Sequence, residues 1–137
     1  KAGHRGFYLR TAGRDRMEGC GRARPGDLDA WSNRELWMPA YRAEFIASTT
    51  GAGDSSLAGF LAAYLRGLAP ERCLAAATAL GYQNLACHDA VSGVRDWDAT
   101  LAMIADRTLP HHPPEFLRHW RFDADRQLAI GAEDGRG

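Results

Sequence analysis

The residues best suited to chemistry lie in one short polar segment, Ser48-Thr49-Thr50-Gly51-Ala52-Gly53-Asp54, which runs directly into a helical pattern. Glycines let a backbone approach an anion without a Cβ in the way. Free N–H groups at the start of a helix, together with the helix dipole, bind negative charge. The spacing therefore predicts a phosphate site at the glycines, with the Asp54 carboxylate beside it as a base for phosphoryl transfer. An ordinary turn and helix cap would use the same residues.

Three helices are expected to position this segment. The first has a stripe of apolar residues at steps of three and four, which is typical of one helix face: Leu57, Phe60, Leu61, Tyr64 and Leu65. Gly67 predicts its end. The second begins near Pro70, a residue favoured in a first helical turn, and runs towards Cys87. The third begins near Asp96.

The remaining segments predict short strands and loops. Residues 7–11 are aromatic and apolar and predict a strand. Residues 36–38 and 45–46 predict two further short strands, interrupted at Pro39. Residues 12–33 predict a loop. The run at 111–114 predicts a break in the chain, and the Gly- and charge-rich end is expected to fray.

Composition restricts the class of protein. The 137 residues suit one domain, and 17 basic residues balance 17 acidic ones, so nothing indicates a nucleic-acid or membrane-surface partner. Cys20, Cys73 and Cys87 fit neither a disulfide framework nor a metal site, and we expect no metal-ligating cluster and a reducing, cytoplasmic location. No apolar run has the length of a membrane span. A strand almost immediately after Lys1 suggests further sequence upstream.

Three blocks together resemble one family. Thr49-Thr50-Gly51-Ala52-Gly53-Asp54, followed by Ala58-Gly59-Phe60, is similar to the second signature of the ribokinase-like (PfkB-type) carbohydrate kinases. Lys1-Ala2-Gly3-His4-Arg5-Gly6 resembles the family's Lys-x-Gly-x-x-Gly strand and turn near the nucleotide. Asp89-Ala90-Val91-Ser92-Gly93 resembles the loop that closes over the nucleotide and, in many members, helps to hold a monovalent cation. The order and spacing of the blocks also fit, from Lys1 to Ile104.

The resemblance implies an α/β fold, part of a doubly wound ribokinase-like sandwich with about three helices and a few strands here. Residues 1–107 would be the C-terminal, nucleotide-binding part of the kinase domain, and residues 108–137 a partly disordered tail. By resemblance, Asp54 is the catalytic base, and the backbone of Gly51, Ala52 and Gly53 forms the anion hole. The implied nucleotide-binding residues are Lys1, Gly3, Gly6, Thr50, Thr78, Asp89, Ala90, Ser92 and Gly93.

The same resemblance implies ATP as phosphoryl donor, Mg²⁺, and a hydroxyl of a sugar, related polyol or nucleoside as acceptor, in an intact enzyme that can form a homodimer. Ser48 stands where many members have an acidic residue, which argues against a monovalent cation. The family's N-terminal half, with most sugar contacts, is not in this sequence, so we expect the isolated chain to be inactive. Two alternatives stay open: a non-catalytic nucleotide- or phosphate-binding fragment or degenerate homologue, and a structural helical domain with the glycine turn as a cap.

Overall fold

A four-stranded antiparallel sheet and a hairpin of two long helices form the core of the molecule. The computed structural model describes residues 1–112 and 117–136. Its strands are β1 (Phe7–Arg10), β2 (Glu35–Met38), β3 (Arg121–Asp123) and β4 (Leu128–Ile130). Its helices are α1 (Arg14–Glu18), α2 (Leu28–Trp31), α3 (Ala52–Leu65), α4 (Pro70–Asn84) and α5 (Trp97–Ala105).

The sheet has the order β1-β2-β4-β3, and every neighbouring pair is antiparallel. Alternate residues point to opposite faces of a strand, and one face buries Leu36 and Leu128 completely. These side chains pack with Leu74 of α4 and partly buried Phe60 of α3. The α/β class is therefore confirmed. The doubly wound arrangement is not found among the described residues, because it requires parallel strands joined by crossover helices.

The helical hairpin packs through small residues. Gly59 of α3 lies so close to α4 that a Cβ there would be 2.6 Å from the Ala76 carbonyl oxygen. Ser55, Ser56 and Ala63 of α3 are also buried. The apolar stripe predicted from the sequence is therefore only partly the packed face. Leu57, Leu61 and Leu65 are exposed, because close approach of the two helices needs small side chains at the contact.

Several predicted elements agree with the structure and others differ. The starts of α4 and α5 agree, and Gly67 follows the end of α3 with φ +74°. Phe45 and Ile46 do not form a strand. Their side chains are exposed, and their backbone pairs with no strand among the described residues. The predicted loop at 12–33 contains α1 and α2, held by buried Met17 and Trp31.

The segment after Arg107 contains β3 and β4, which the sequence did not predict. Its last described residues, 131–136, are also held: Asp134 accepts hydrogen bonds from the backbone N–H of Glu35 (2.7 Å) and from Arg34 Nε (3.0 Å). Arg34 in turn pairs with Glu71 of α4 at 2.8 Å. These contacts tie the end of the described chain to the core, where fraying was expected. The predicted break at 113–114 lies outside the described residues.

Candidate functional site

The glycine turn enters α3 as the sequence predicts. Gly51 is the N-cap residue, with φ +74°, a left-handed conformation that glycine adopts easily, and no side chain caps the helix. The Ala52 N–H donates to the Thr49 carbonyl at 3.3 Å. Within the described part of the chain, the N–H groups of Gly51, Gly53 and Asp54 have no acceptor. The turn thus presents three free donors at the positive end of a 14-residue helix.

A cleft of about 360 Å³ lies beside this turn. Its small-residue wall comes from α3, α4 and the turn: Thr49, Ala52, Gly53, Ser56, Thr78 and Gly81. Its apolar and aromatic lining residues are Phe7, Ala40, Tyr41, Ala43, Ile46, Tyr82 and Leu85. The remaining lining residues are Gly3 and three bases, Lys1, His4 and His112. The lining of the cleft therefore combines apolar and aromatic side chains with nitrogen bases.

Asp54 stands at the rim of the cleft in the first turn of α3. Its side chain is 91% exposed, and its Oδ1 lies 3.8 Å from Lys1 Nζ. The same ammonium group is 2.9 Å from the position that a Cβ on Gly53 would take. A carboxylate, an ammonium group and free backbone donors therefore meet at one point. This set can bind an anion and accept a proton beside it.

The loop at 89–93 packs behind the turn, outside the cleft lining. Asp89 accepts hydrogen bonds from the N–H groups of Val91 (2.8 Å) and Ser92 (2.7 Å). Hydrogen bonds from the Ser92 side chain and from these two N–H groups lower the pKa of Asp89 to about 2. The Ala90 carbonyl accepts from Ser55 Oγ at 3.1 Å. A Cβ on Gly51 would lie 2.5 Å from that carbonyl oxygen, so the loop and the turn are in tight contact.

Asn84, the last residue of α4, lies between the loop and the turn and was not predicted. It is fully buried, and its Nδ2 donates to the carbonyls of Thr50 (2.9 Å) and Asp89 (3.1 Å). Its Oδ1 is buried and has no hydrogen-bond partner among the described residues. The sequence carried one signal for it: the helical series through Leu74 and Leu80 continues at Asn84, which puts a polar residue on a buried stripe.

The predicted site residues divide into three groups in space. The first lines the cleft: Lys1, Gly3, Ala52, Gly53 and Thr78. The second adjoins it at the turn or packs behind the turn: Thr50, Gly51, Asp54, Asp89, Ala90 and Ser92. The third packs against backbone elsewhere, with Gly6 against the Met38 carbonyl at the end of β2 and Gly93 against the Gln83 carbonyl of α4.

Other candidate groups have structural partners. The Thr78 hydroxyl donates to the Leu74 and Ala75 carbonyls within α4. His111 stacks on Tyr41 with ring centroids 4.2 Å apart, and burial, followed by the charge of His112, lowers its pKa to about 4. Across residues 1–112 and 117–136, no three His, Cys, Asp or Glu side chains come together as a metal site would require. Within the same residues, no helix is both long and apolar enough to span a membrane.

Comparison with known proteins identifies the family. The model of the pfkB family carbohydrate kinases matches residues 29–97, half of the chain, a stretch that contains the turn, α3, α4 and the loop at 89–93. The block at residues 1–6 lies outside the matched stretch. No curated protein and no solved structure matches the chain. The chain belongs to the pfkB family of carbohydrate kinases.

Proposed function

We propose that the protein transfers the γ-phosphoryl group of ATP to a hydroxyl of a sugar, a related polyol or a nucleoside. The observation that carries this proposal is the open N-terminus of α3, where free N–H groups of Gly51 and Gly53 stand beside the Asp54 carboxylate at the mouth of a cleft. Phosphoryl transfer needs little more than positioning and charge stabilisation, and these groups supply both.

Each group has a distinct role in the proposed reaction. The backbone donors of the turn bind the oxygens of the transferred phosphoryl group, and their charge stabilisation is strongest in the transition state. Asp54 accepts the proton of the acceptor hydroxyl as that oxygen attacks phosphorus and ADP leaves. Lys1, 3.8 Å from Asp54, adds positive charge at the same place. The aromatic residues that line the cleft suit a nucleobase.

Mg²⁺ is expected as part of the nucleotide complex. Magnesium is usually held by phosphates, waters and one or two carboxylates, without a dedicated protein cage. The described residues fit this mode, since they offer the exposed Asp54 carboxylate near the free donors but no cluster of three ligands. The ion would neutralise phosphate charge, while the chain's own groups orient the phosphoryl group and take the proton.

The test is an ADP-release assay on the full-length protein, by which we mean this chain joined to the N-terminal half that the family resemblance implies, with Mg-ATP and separate panels of hexoses, pentoses, polyols and nucleosides. The expected result is acceptor-dependent ADP release, with the phosphorylated acceptor identified by mass spectrometry. Calorimetric titration with Mg-ATP tests the alternatives. Saturable binding with no phosphorylated product from any panel would favour a non-catalytic nucleotide-binding protein, and a folded sample that binds no nucleotide would favour a structural role for the turn.

A further inference from the structure

The amide of Asn84 joins the two segments on which the proposed site depends. One acceptor, the Thr50 carbonyl, belongs to the phosphate turn, and the other, the Asp89 carbonyl, belongs to the loop packed behind it. Both bonds have ordinary lengths, 2.9 and 3.1 Å, and the side chain is fully buried. Two carbonyl oxygens from separate segments thus converge on one nitrogen donor that water does not reach.

Carbonyl oxygens that converge on a point closed to water, as the buried Asn84 amide is, need either a donor or a cation at that point. In many members of this family a monovalent cation lies near these segments, with help from an acidic residue at the position of Ser48. The residues of this chain do not fit such an ion. Ser48 is neutral, and its Oγ already accepts a hydrogen bond from the Thr50 N–H at 3.0 Å. The space between the Thr50 and Asp89 carbonyls is taken by an NH₂ group, which cannot ligate a cation.

The orientation of the Asn84 amide follows from its neighbours. With Nδ2 towards the two carbonyls, both acceptors are satisfied and only Oδ1 lacks a partner among the described residues. With the amide reversed, Oδ1 would face the Thr50 and Asp89 oxygens, so that three acceptors would meet without a donor. An unsatisfied buried group is costly, and the reversed arrangement has more of them.

We propose that Asn84 takes the place of a monovalent cation in this protein and holds the phosphate turn against the loop at 89–93 without an ion. Asn84 is then a positioning residue: it touches no reacting atom, but it fixes the carbonyl of Thr50, next to the donors of Gly51 and Gly53. The expected effect of Asn84 on nucleotide binding rests on the proposed function. The expectation that the stability of the protein does not depend on potassium is independent of that function.

The decisive variant is Asn84→Asp, which keeps the shape but replaces the NH₂ group with a second oxygen. Three oxygens and a negative charge would then surround the point between the loops, an arrangement that suits K⁺. Thermal unfolding of the full-length protein without nucleotide is compared in KCl and in tetramethylammonium chloride at equal concentration. The wild-type Tm should be the same in both salts. The Tm of Asn84→Asp should be lower in the tetramethylammonium salt by roughly 5–10 °C, as expected for a buried polar group left unpaired.

The neighbouring amide supplies a matched control. Gln83 is also buried on α4, but it bonds to Thr100 Oγ1 (3.1 Å) and to the Arg95 N–H (3.0 Å) and contacts neither converging carbonyl. Gln83→Glu should lower Tm equally in both salts. A wild-type Tm that rises in KCl overturns the proposal, and so does equal salt dependence in the two variants. If Asn84→Asp does not fold in either salt, Asn84→Ala replaces it, and its Tm must then rise in KCl.

A second measurement separates this inference from the proposed function. Titration with Mg-AMP-PNP should give the same affinity for the wild type in both salts, and an affinity for Asn84→Asp that is roughly tenfold higher in KCl, a usual size for coupling between two sites. If no variant binds the nucleotide while the Tm pattern is as expected, the kinase proposal fails and the role of Asn84 stands. If the wild type binds the nucleotide only in KCl, the opposite follows: the kinase proposal is supported and the proposed role of Asn84 is wrong.

Discussion

The N-termini of α3 and α5 differ in their capping. At α5, Asp96 is the N-cap residue, and its Oδ1 accepts the N–H of Ala99 at 2.8 Å. At α3, the N-cap is Gly51, no side chain accepts from the first turn, and the nearby Asp54 carboxylate lies beside Lys1 instead. A side chain of the chain itself thus satisfies one first-turn donor of α5, whereas no side chain does so at α3, which leaves the N–H groups of Gly53 and Asp54 for an acceptor from outside.

This difference in capping costs stability at the site. An Asn, Asp or Ser cap stabilises a helix by about 1 kcal/mol over residues without a capping group, although glycine itself loses only a few tenths. The donors that such a cap would satisfy stay free in the first turn of α3, and two of them border the cleft or its rim. Local instability of this kind is typical of functional sites, where a ligand completes the hydrogen bonds. The following changes test whether α3 and α5 differ in function as they do in capping.

The largest effect is expected from Asp54→Asn. The amide keeps the shape of the side chain but cannot accept the proton, so kcat should fall by about 10²–10⁴-fold, the usual contribution of a general base. The KM for ATP should change little, because the donors of the turn are unaltered. Steady-state kinetics on the full-length enzyme measure both constants. A near-normal kcat would reduce Asp54 to an ordinary acidic residue in a first helical turn.

The next effect concerns Gly51, for which Gly67 is a matched control. Both glycines have φ +74°, so alanine should cost about 1–2 kcal/mol at either position from backbone strain alone. At Gly67 the new Cβ meets open space, but at Gly51 it would lie 2.5 Å from the Ala90 carbonyl oxygen. Gly51→Ala should therefore be the more destabilised in urea unfolding, and it alone should weaken Mg-ATP binding. Equal losses in both variants would mean that the turn and the loop at 89–93 are not tightly packed.

The parts of the fold that the sequence predicts are those with local signals. Pro70 begins α4, Asp96 caps α5, and the glycine spacing at 51–53 predicts the open start of α3. By contrast, β3 and β4 have three residues each, and β4 pairs with β2 from far earlier in the chain. A strand of three residues is too short to show a hydrophobic periodicity, and its pairing depends on tertiary contacts.

The candidate site was predictable to a similar extent. The turn and the adjacent loop at 89–93 have recognisable residues, but the carbonyls that Asn84 joins are backbone groups that every residue carries. The packed face of α3 could not be predicted from the sequence either. Gly59 and Ala63 form a contact surface only because the partner helix α4 has small residues of its own there, such as Ala76. Hydrophobic periodicity instead emphasised Leu57 and Leu61, which are exposed.

A smaller effect is expected from Asp96→Ala at the N-cap of α5. Loss of the hydrogen bond to the Ala99 N–H should lower the free energy of unfolding by about 1 kcal/mol, as for other N-cap truncations. Mg-ATP affinity should be unchanged, since α5 contributes no residue to the cleft among the described residues. Urea unfolding and calorimetry measure the two quantities. A loss of affinity as large as that of Gly51→Ala would remove the functional distinction between the two helix starts.

The smallest change in stability is expected from Lys1→Met. The ion pair with Asp54 is long, 3.8 Å, and both side chains are exposed, 45% and 91%, so water screens it and its loss should alter the free energy of unfolding by less than about 0.5 kcal/mol. Its effect on ligand binding should be larger. The ammonium group lies over Gly53, where an incoming phosphate would make contact, so the variant should bind Mg-ATP more weakly and with a smaller dependence on salt concentration.

Lys1→Arg separates the charge of this residue from its length. A guanidinium group keeps the positive charge, so Arg should restore most of the salt dependence of Mg-ATP binding that Met removes. Arg126→Met is the control for a lost surface cation, because Arg126 pairs with Asp123 at 3.0 Å next to the β3–β4 turn and does not line the cleft. If Lys1→Met and Arg126→Met leave Mg-ATP affinity equally unchanged, Lys1 serves only to neutralise Asp54, and the anion site at the start of α3 consists of backbone donors alone.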